Sequence, residues 1–374
     1  MEKVLVQTIQ VMRDDLLGAL KNISGVIEAS NTMPVLACVL LRASGNQMSL
    51  MATNTEVQIE AKSPITGLDG DVAVVVSCKK LMDICRTMNG DALIDLSIEG
   101  SWLIIKADGS HFKLAVFDEL LPQHQENAWQ HEWTCTQSEL ALLLASSQYA
   151  MASSDPRHFL NALLLNRSAS QQAAVATDGH RLALMSRPIE ASGADFQALL
   201  PRKSVVELIR LLQDNDDLVT CYCSDAALKV VTHEFTLMTN LIDGKFPDYQ
   251  QIIPKDHQFE AVVSLSQLKQ SLSRVAIMAE NKKTTLVFEE HTLALHTKNA
   301  NNERAEERMT IHYNDERIEI ALNIAYMMDV LNIMTSESLV IQLSDSGKPL
   351  VLKEKDGQEG GVHIIMPLLS VDVQ

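Results

Sequence analysis

At 374 residues, with 46% hydrophobic and 21% charged side chains, the chain has an ordinary globular composition and the length for two or three domains. Its formal net charge of −17 excludes a protein that clings to nucleic acid over its whole surface, though not one that touches DNA on a single face. No apolar run approaches the ~18 residues of a membrane span, and Met1–Val4 opens no signal-peptide core, so a cytoplasmic location and no membrane partner are expected.

In chain order, a helix is predicted around Leu16, Leu17 and Leu20. Strands follow at Cys38–Leu41 and Val72–Val76, then a helix carrying Asp83-Ile84-Cys85-Arg86 and a strand at Trp102–Ile105. The polar stretch Pro122–His131 is a linker. The pattern then restarts: a helix with Leu140, Leu143 and Leu144, a strand at Leu163–Leu165, a helix with Glu207-Leu208-Ile209-Arg210, and a strand at Ala227–Val231. Pro254–His257 is a shorter linker. A third round has a helix with Leu268 and Leu272, strands at Thr285–Phe288 and Leu293–Leu295, a helix over Leu322–Met334 with Asp329-Val330-Leu331-Asn332, and a strand at Val351–Leu352. The first helices recur about every 124–128 residues and the second about every 122–124. Met51-Ala52-Thr53-Asn54 is echoed by Val175-Ala176-Thr177-Asp178. Asp-Gly turns at 69–70, 108–109, 178–179, 243–244 and 356–357 punctuate hairpin-spaced strands, which favours α+β domains with antiparallel sheets over a doubly wound parallel fold. The expected domains are residues 1–128, 132–254 and 258–374.

Chemical signatures are sparse. Cys38, Cys78, Cys85, Cys135, Cys221 and Cys223 form no CxxC pair and have no histidine at zinc spacing, so buried free thiols and no metal are expected. There is no Gly-rich phosphate loop, GxGxxG, HExxH or GxSxG. Asp178-Gly179-His180-Arg181 is the nearest thing to a site; by itself it is either a tight turn with exposed side chains or a binding turn. Basic residues gather on predicted helices: Lys79, Lys80 and Arg86; Arg202, Lys203 and Arg210; Lys269 and Arg274. They are either solvated faces or one face kept positive for sequence-independent attraction to phosphates.

Joint order and spacing of several motifs resemble the bacterial DNA polymerase sliding clamps, the beta processivity subunits, over essentially the whole length. They are Ala176-Thr177-Asp178-Gly179-His180-Arg181-Leu182, Pro201-Arg202-Lys203, Asp243-Gly244-Lys245-Phe246-Pro247-Asp248-Tyr249 and Ile364-Ile365-Met366-Pro367. The resemblance implies three repeated clamp domains, each with two helices and antiparallel sheet, and a head-to-tail dimer forming a six-domain ring. It implies no catalysis and no cofactor: a ring that slides on duplex DNA and tethers the replicative polymerase and other proteins by their clamp-binding peptides, opened by a separate loader, in the nucleoid-associated cytoplasm. The basic residues named above would face DNA. The family's peptide pocket carries over onto Leu160, Thr177, Gly179, His180, Arg181, Leu182, Pro247, Gln251, Ile252, Ile364, Met366, Pro367 and Leu368. At the dimer contact Phe112 and Leu114 would meet Ile277 and Met278.

Four departures from the family pattern stand out. Ser30-Asn31 replaces a DNA-contacting arginine, Gln251 stands where a pocket arginine is usual, and Ala162 replaces a glycine. The chain also adds Ser370–Gln374 beside the pocket. Together they suggest a divergent clamp, such as a second copy or one carried by a mobile element. The alternative is a clamp-fold scaffold that binds partner peptides without acting on DNA.

Overall fold

The computed structural model describes residues 8–28, 33–68, 70–124, 128–190, 194–280, 282–356 and 360–368. Ser30, Asn31 and Ser370–Gln374, on which two of the departures fall, lie outside the described residues.

Six α-helices are described: α1 (Arg13–Ile23), α2 (Cys78–Thr87), α3 (Gln137–Gln148), α4 (Arg202–Leu211), α5 (Leu265–Ala276) and α6 (Ile324–Ile333). Each begins at the residue after a strand ends: Thr8–Met12, Asp71–Ser77, His131–Thr136, Phe196–Pro201, Phe259–Ser264 and Ile318–Asn323. This strand-into-helix junction, used twice per repeat, is the unit behind the sequence periodicity. The local chemistry supports it. In α1, Leu16, Leu17, Leu20 and Ile23 form the buried stripe, and Asp14 and Asp15 sit in the first turn where the helix dipole favours negative charge. Ser77 Oγ caps α2 by accepting from Lys80 N, and Asn323 Oδ1 caps α6 by accepting from Ala325 N at 3.0 Å. Because Asn323 takes the cap, the last helix starts at Ile324, and Leu322 and Asn323, expected in the helix, belong to the strand instead.

The strands form sheets of twelve, eight and four, with every named strand pair antiparallel. Sheet edges are joined between repeats. Val57–Pro64 of the first pairs with Phe235–Asn240 of the second, and Arg181–Pro188 of the second pairs with Gly361–Ile365 of the third. Tertiary contacts accordingly group the chain into two compact units, residues 1–138 with 206–241, and residues 139–205 with 242–374, so the middle third is shared between them. The first unit holds the twelve-stranded sheet and a core that includes Val35, Leu40, Met51, Val75 and Leu121. The second holds the other two sheets, with α5 and α6 burying Leu268, Leu272, Val275, Met327, Val330 and Leu331 against Leu286, Phe288, Leu293 and Leu295. Each such side chain contributes about 1.5–3 kcal/mol of burial. All six cysteines are buried free thiols; desolvation pushes Cys38 and Cys85 up to about 11 and Cys78 and Cys223 up to about 12, which keeps them protonated.

Candidate partner-docking site and basic helix faces

The 178–181 turn joins strands Gln171–Thr177 and Arg181–Pro188. Asp178 builds it. Its Oδ1 accepts from the backbone N–H groups of His180 (2.9 Å) and Arg181 (3.0 Å), and its Oδ2 accepts from Arg181 Nε at 3.1 Å. Gly179 has φ +88°, a left-handed conformation that suits glycine. Thr177 Oγ1 donates to Arg181 O at 2.7 Å and accepts from Gly179 N, locking both ends.

Arg181 is a structural hub rather than a side chain held out to solvent. It is 10% exposed, and its Nη1 donates to Asp329 Oδ2 on α6 at 2.5 Å while Nη2 donates to Tyr149 O at 2.6 Å. The guanidinium lies 4.5 Å from the Tyr326 ring centre and 5.1 Å from that of Tyr149, and His180 stacks on Tyr326 with planes 19° apart. Burial pushes the Tyr149 and Tyr326 hydroxyls up, most strongly for Tyr149, and Arg181 partly opposes it. Tyr149 therefore keeps its proton, and its hydroxyl lies within hydrogen-bond distance of His363 Nδ1, at 3.0 Å. Burial lowers His363 to about 4, so the imidazole is neutral near pH 7.

The chain's C-terminal strand runs alongside. Arg181–Met185 pairs with Gly361–Ile365, Met366 N donates to His180 O at 2.9 Å, and Leu368 N donates to Ala321 O at 2.7 Å. Besides Arg181, the other twelve expected pocket residues fall into three classes of exposure. Leu160, Thr177, Leu182 and Ile364 are buried. Gly179, His180, Gln251, Ile252, Met366 and Leu368 are exposed, with Pro247 and Pro367 half-buried. Ile252, Met366 and Leu368 are large apolar side chains left open to solvent at 37%, 39% and 36%. Gln251, in the usual arginine position, donates to Asp248 Oδ2 at 2.8 Å. Ala162 has φ −118°, which alanine adopts without strain. Tyr149 and Tyr326, which wall the arginine, carry no sequence signal beyond being aromatic residues near helix ends.

The eight basic residues lie on α2, α4 and α5 as expected, but the structure sorts them. Lys79 and Lys80 are exposed and have no carboxylate partner among the described residues. Arg86 pairs with Asp83 at 3.4 Å, Arg210 with Glu207 at 2.8 Å, and Arg274 with Glu307 at 2.6 Å. Arg210 also donates to Lys21 O and Asn22 O at the end of α1, and Arg202 donates to Met151 O at 3.0 Å. Lys203 and Lys269 are half-buried. Of the four residues expected at a dimer contact, Ile277 is 78% exposed and Phe112 and Met278 half-buried, whereas Leu114 is only 6% exposed in the single chain.

Two strand-and-helix modules per repeat, repeated along the chain, define an α+β protein of the clamp type. Three family models match in succession: the N-terminal, central and C-terminal domains of the DNA polymerase III beta subunit, over residues 7–120, 134–248 and 250–369. The beta sliding clamp of Pseudomonas putida is 36% identical over 363 residues, covering 96% of this chain and 98% of its own, and that of Escherichia coli is 30% identical over 361 residues with the same coverage. The crystal structure of the DNA polymerase III subunit beta from Pseudomonas aeruginosa superposes with a TM-score of 0.93 at 33% identity, covering 96% of this chain and 99% of that one. Another structure of that clamp, with griselimycin bound, also gives 0.93. The chain belongs to the DNA polymerase III beta subunit family, the beta sliding clamps.

Proposed function

We propose that this chain is a DNA sliding clamp, a non-catalytic processivity factor that encircles duplex DNA and tethers polymerase and other DNA-processing proteins through a peptide-docking groove. One observation carries the reading: three beta-subunit domains follow one another in order over residues 7–369. Two copies close head to tail into a six-domain ring, with chain segments 1–128, 132–254 and 258–374 as the domains. The ring holds DNA by topology. Lys79, Lys80, Lys203 and Lys269, with the partly committed arginines beside them, supply weak phosphate contacts that permit sliding, and the remaining acidic surface repels DNA. Tethering turns a polymerase's bimolecular encounter with DNA into a local one at high effective concentration. Partner peptides dock apolar side chains against Ile252, Met366 and Leu368, over the floor of Leu160, Leu182 and Ile364. Phe112, Leu114, Ile277 and Met278 form the subunit contact. The ring works in the nucleoid-associated cytoplasm.

The test is retention. The protein is loaded onto nicked circular plasmid with a compatible clamp loader and ATP, and the plasmid is then linearised. A clamp stays on circles and runs off linear ends; equal behaviour on both forms leaves only the fold. A second reading, a peptide-binding scaffold that no longer acts on DNA, draws support from Arg86, Arg210 and Arg274, whose charges are already matched by carboxylates. Lys79→Glu with Lys80→Glu separates the two: a clamp loses retention, while a scaffold keeps its peptide affinity and has no retention to lose.

A further inference from the structure

We infer that the docking groove selects its partners by charge, taking peptides whose apolar anchors are flanked by a lysine or arginine, which Asp248 at the rim receives. The inference rests on the docking reading above and deepens it, because open apolar side chains at Ile252, Met366 and Leu368 attract apolar anchors without choosing among peptides that carry them. Phe246, Tyr249 and Ile253 pack into the same core cluster as Leu182 and Ile364. The stretch from Phe246 to Ile253 is thereby held against the strand that follows the 178–181 turn and against the C-terminal strand. Asp248 opens the single tight turn Tyr249–Gln251 in this stretch, and Ile252 follows at once with 37% exposure. A turn this short keeps the carboxylate within reach of a side chain that flanks whatever covers Ile252.

Asp248 is exposed and bonded to neutral donors. Its Oδ1 accepts from Gln250 N at 3.2 Å and its Oδ2 from Gln251 Nε2 at 2.8 Å. These bonds fix the carboxylate but leave its charge unmatched among the described residues. The turn side of the groove offers no surplus cation either. Arg181 is committed to Asp178 and Asp329. Arg157, whose Nη2 would lie 3.6 Å from a Cβ on Gly179, is committed to Asp155 at 2.9 Å. Two guanidiniums there meet three carboxylates, and on the neighbouring stretch Lys245 and Asp243 cancel in formal charge and leave Asp248 in excess. A negative rim beside open apolar side chains attracts a peptide with a cation next to its anchors and repels one with a carboxylate there. Gln251 determines the outcome: its amide positions the Asp248 carboxylate without neutralising it, which a guanidinium at the same place would do.

The test uses the full chain and a pair of short fluorescein-labelled peptides, read by anisotropy over a salt series. Both share an apolar core of leucine and phenylalanine; one is flanked at each end by lysine, the other by glutamate. Compared are wild type, Asp248→Asn, Gln251→Arg, and Ile252→Ser with Met366→Ser. Wild type should prefer the lysine-flanked peptide by about two- to fivefold at low salt, the scale of one exposed ion pair. The preference should fade toward about 1 M salt, where charges are screened within about 3 Å. Asp248→Asn keeps an acceptor for Gln250 N, so it should hold the turn and the melting temperature while bringing the ratio toward one. Gln251→Arg should remove the preference or reverse it. If binding is lost in Ile252→Ser with Met366→Ser but wild type takes both peptides equally, the inference is overturned and the docking reading stands. The same holds if the lysine preference survives both Asp248→Asn and Gln251→Arg. Binding that Ile252→Ser with Met366→Ser leaves unchanged lies elsewhere on the chain, and overturns the docking reading and the inference with it.

Discussion

Arg181 is the residue that ties the 178–181 turn to its surroundings. Removing its side chain leaves Asp178, only 14% exposed, without its cation and strips Tyr149 O of a donor. Arg181→Ala should therefore lower stability by about 2–4 kcal/mol, discounted from the full cost of a broken buried pair because Asp329 is 44% exposed. Arg181→Lys should recover little, since an ammonium cannot serve three acceptors in the planar fork. Urea denaturation with an unchanged m-value is the check, and full recovery by lysine would discount the fork geometry. Gly360 is a second sensitive point. At φ +99°, a Cβ there would lie 1.9 Å from Ser186 O, a backbone atom that cannot step aside. Gly360→Ala should cost about 1–3 kcal/mol and loosen the strand pairing beside the groove, visible as faster amide exchange at Ser186. His363 sets a pH dependence. Its folded-state value, about 4, lies below the ordinary 6.5, so the unfolded chain takes up the proton first as pH falls. Its contribution is complete above about pH 6.5 and is lost as pH drops toward 4, by up to about 3 kcal/mol. His363→Gln should flatten that part of the stability curve relative to wild type. Parallel curves for the two proteins would show that the imidazole does not titrate in this window.

At the scale of elements, the six strand-into-helix junctions make the caps informative. Asn323 lets the chain leave the sheet and start α6 without an intervening loop. Asn323→Ala should cost about 1 kcal/mol, and because α6 carries Tyr326 and Asp329, it should also weaken the packing around Arg181. A melting-temperature drop with reduced peptide affinity is expected; a drop with unchanged affinity would make α6 support the core alone. Helices and strands were legible because their apolar residues repeat at 3.6 and 2. The sheet joins were not. Nothing in Arg181–Pro188 announces that its partner is Gly361–Ile365, with Arg181 opposite Ile365, because antiparallel pairing writes no address into either strand.

At the scale of the whole molecule, the single chain leaves large apolar side chains open to solvent. Ile277 is 78% exposed, a poor place for a large apolar side chain unless a second copy buries it. Ile277→Asp should shift the protein toward monomer in analytical ultracentrifugation and abolish retention on circular DNA, while leaving affinity for a partner peptide near wild type. A variant that stays dimeric would move the subunit contact elsewhere.

The sequence by itself determined the triplicated plan, the α+β class, the helix and strand types, the buried thiols and the family motifs, because each is written in local periodicity or in contiguous residues. Tertiary structure alone decided which members of those motifs are buried and which are surface. Leu160, Leu182 and Ile364 sank into the core while Ile252, Met366 and Leu368 stayed open. It also decided which cations remain available: Arg86, Arg210 and Arg274 found carboxylates, two of them one turn away on the same helix and the third across on a strand, whereas Lys79 and Lys80 did not. The physical reason is common to both. Burial and charge neutralisation are pairwise properties of groups brought together by folding, and a linear pattern specifies the groups without specifying their neighbours.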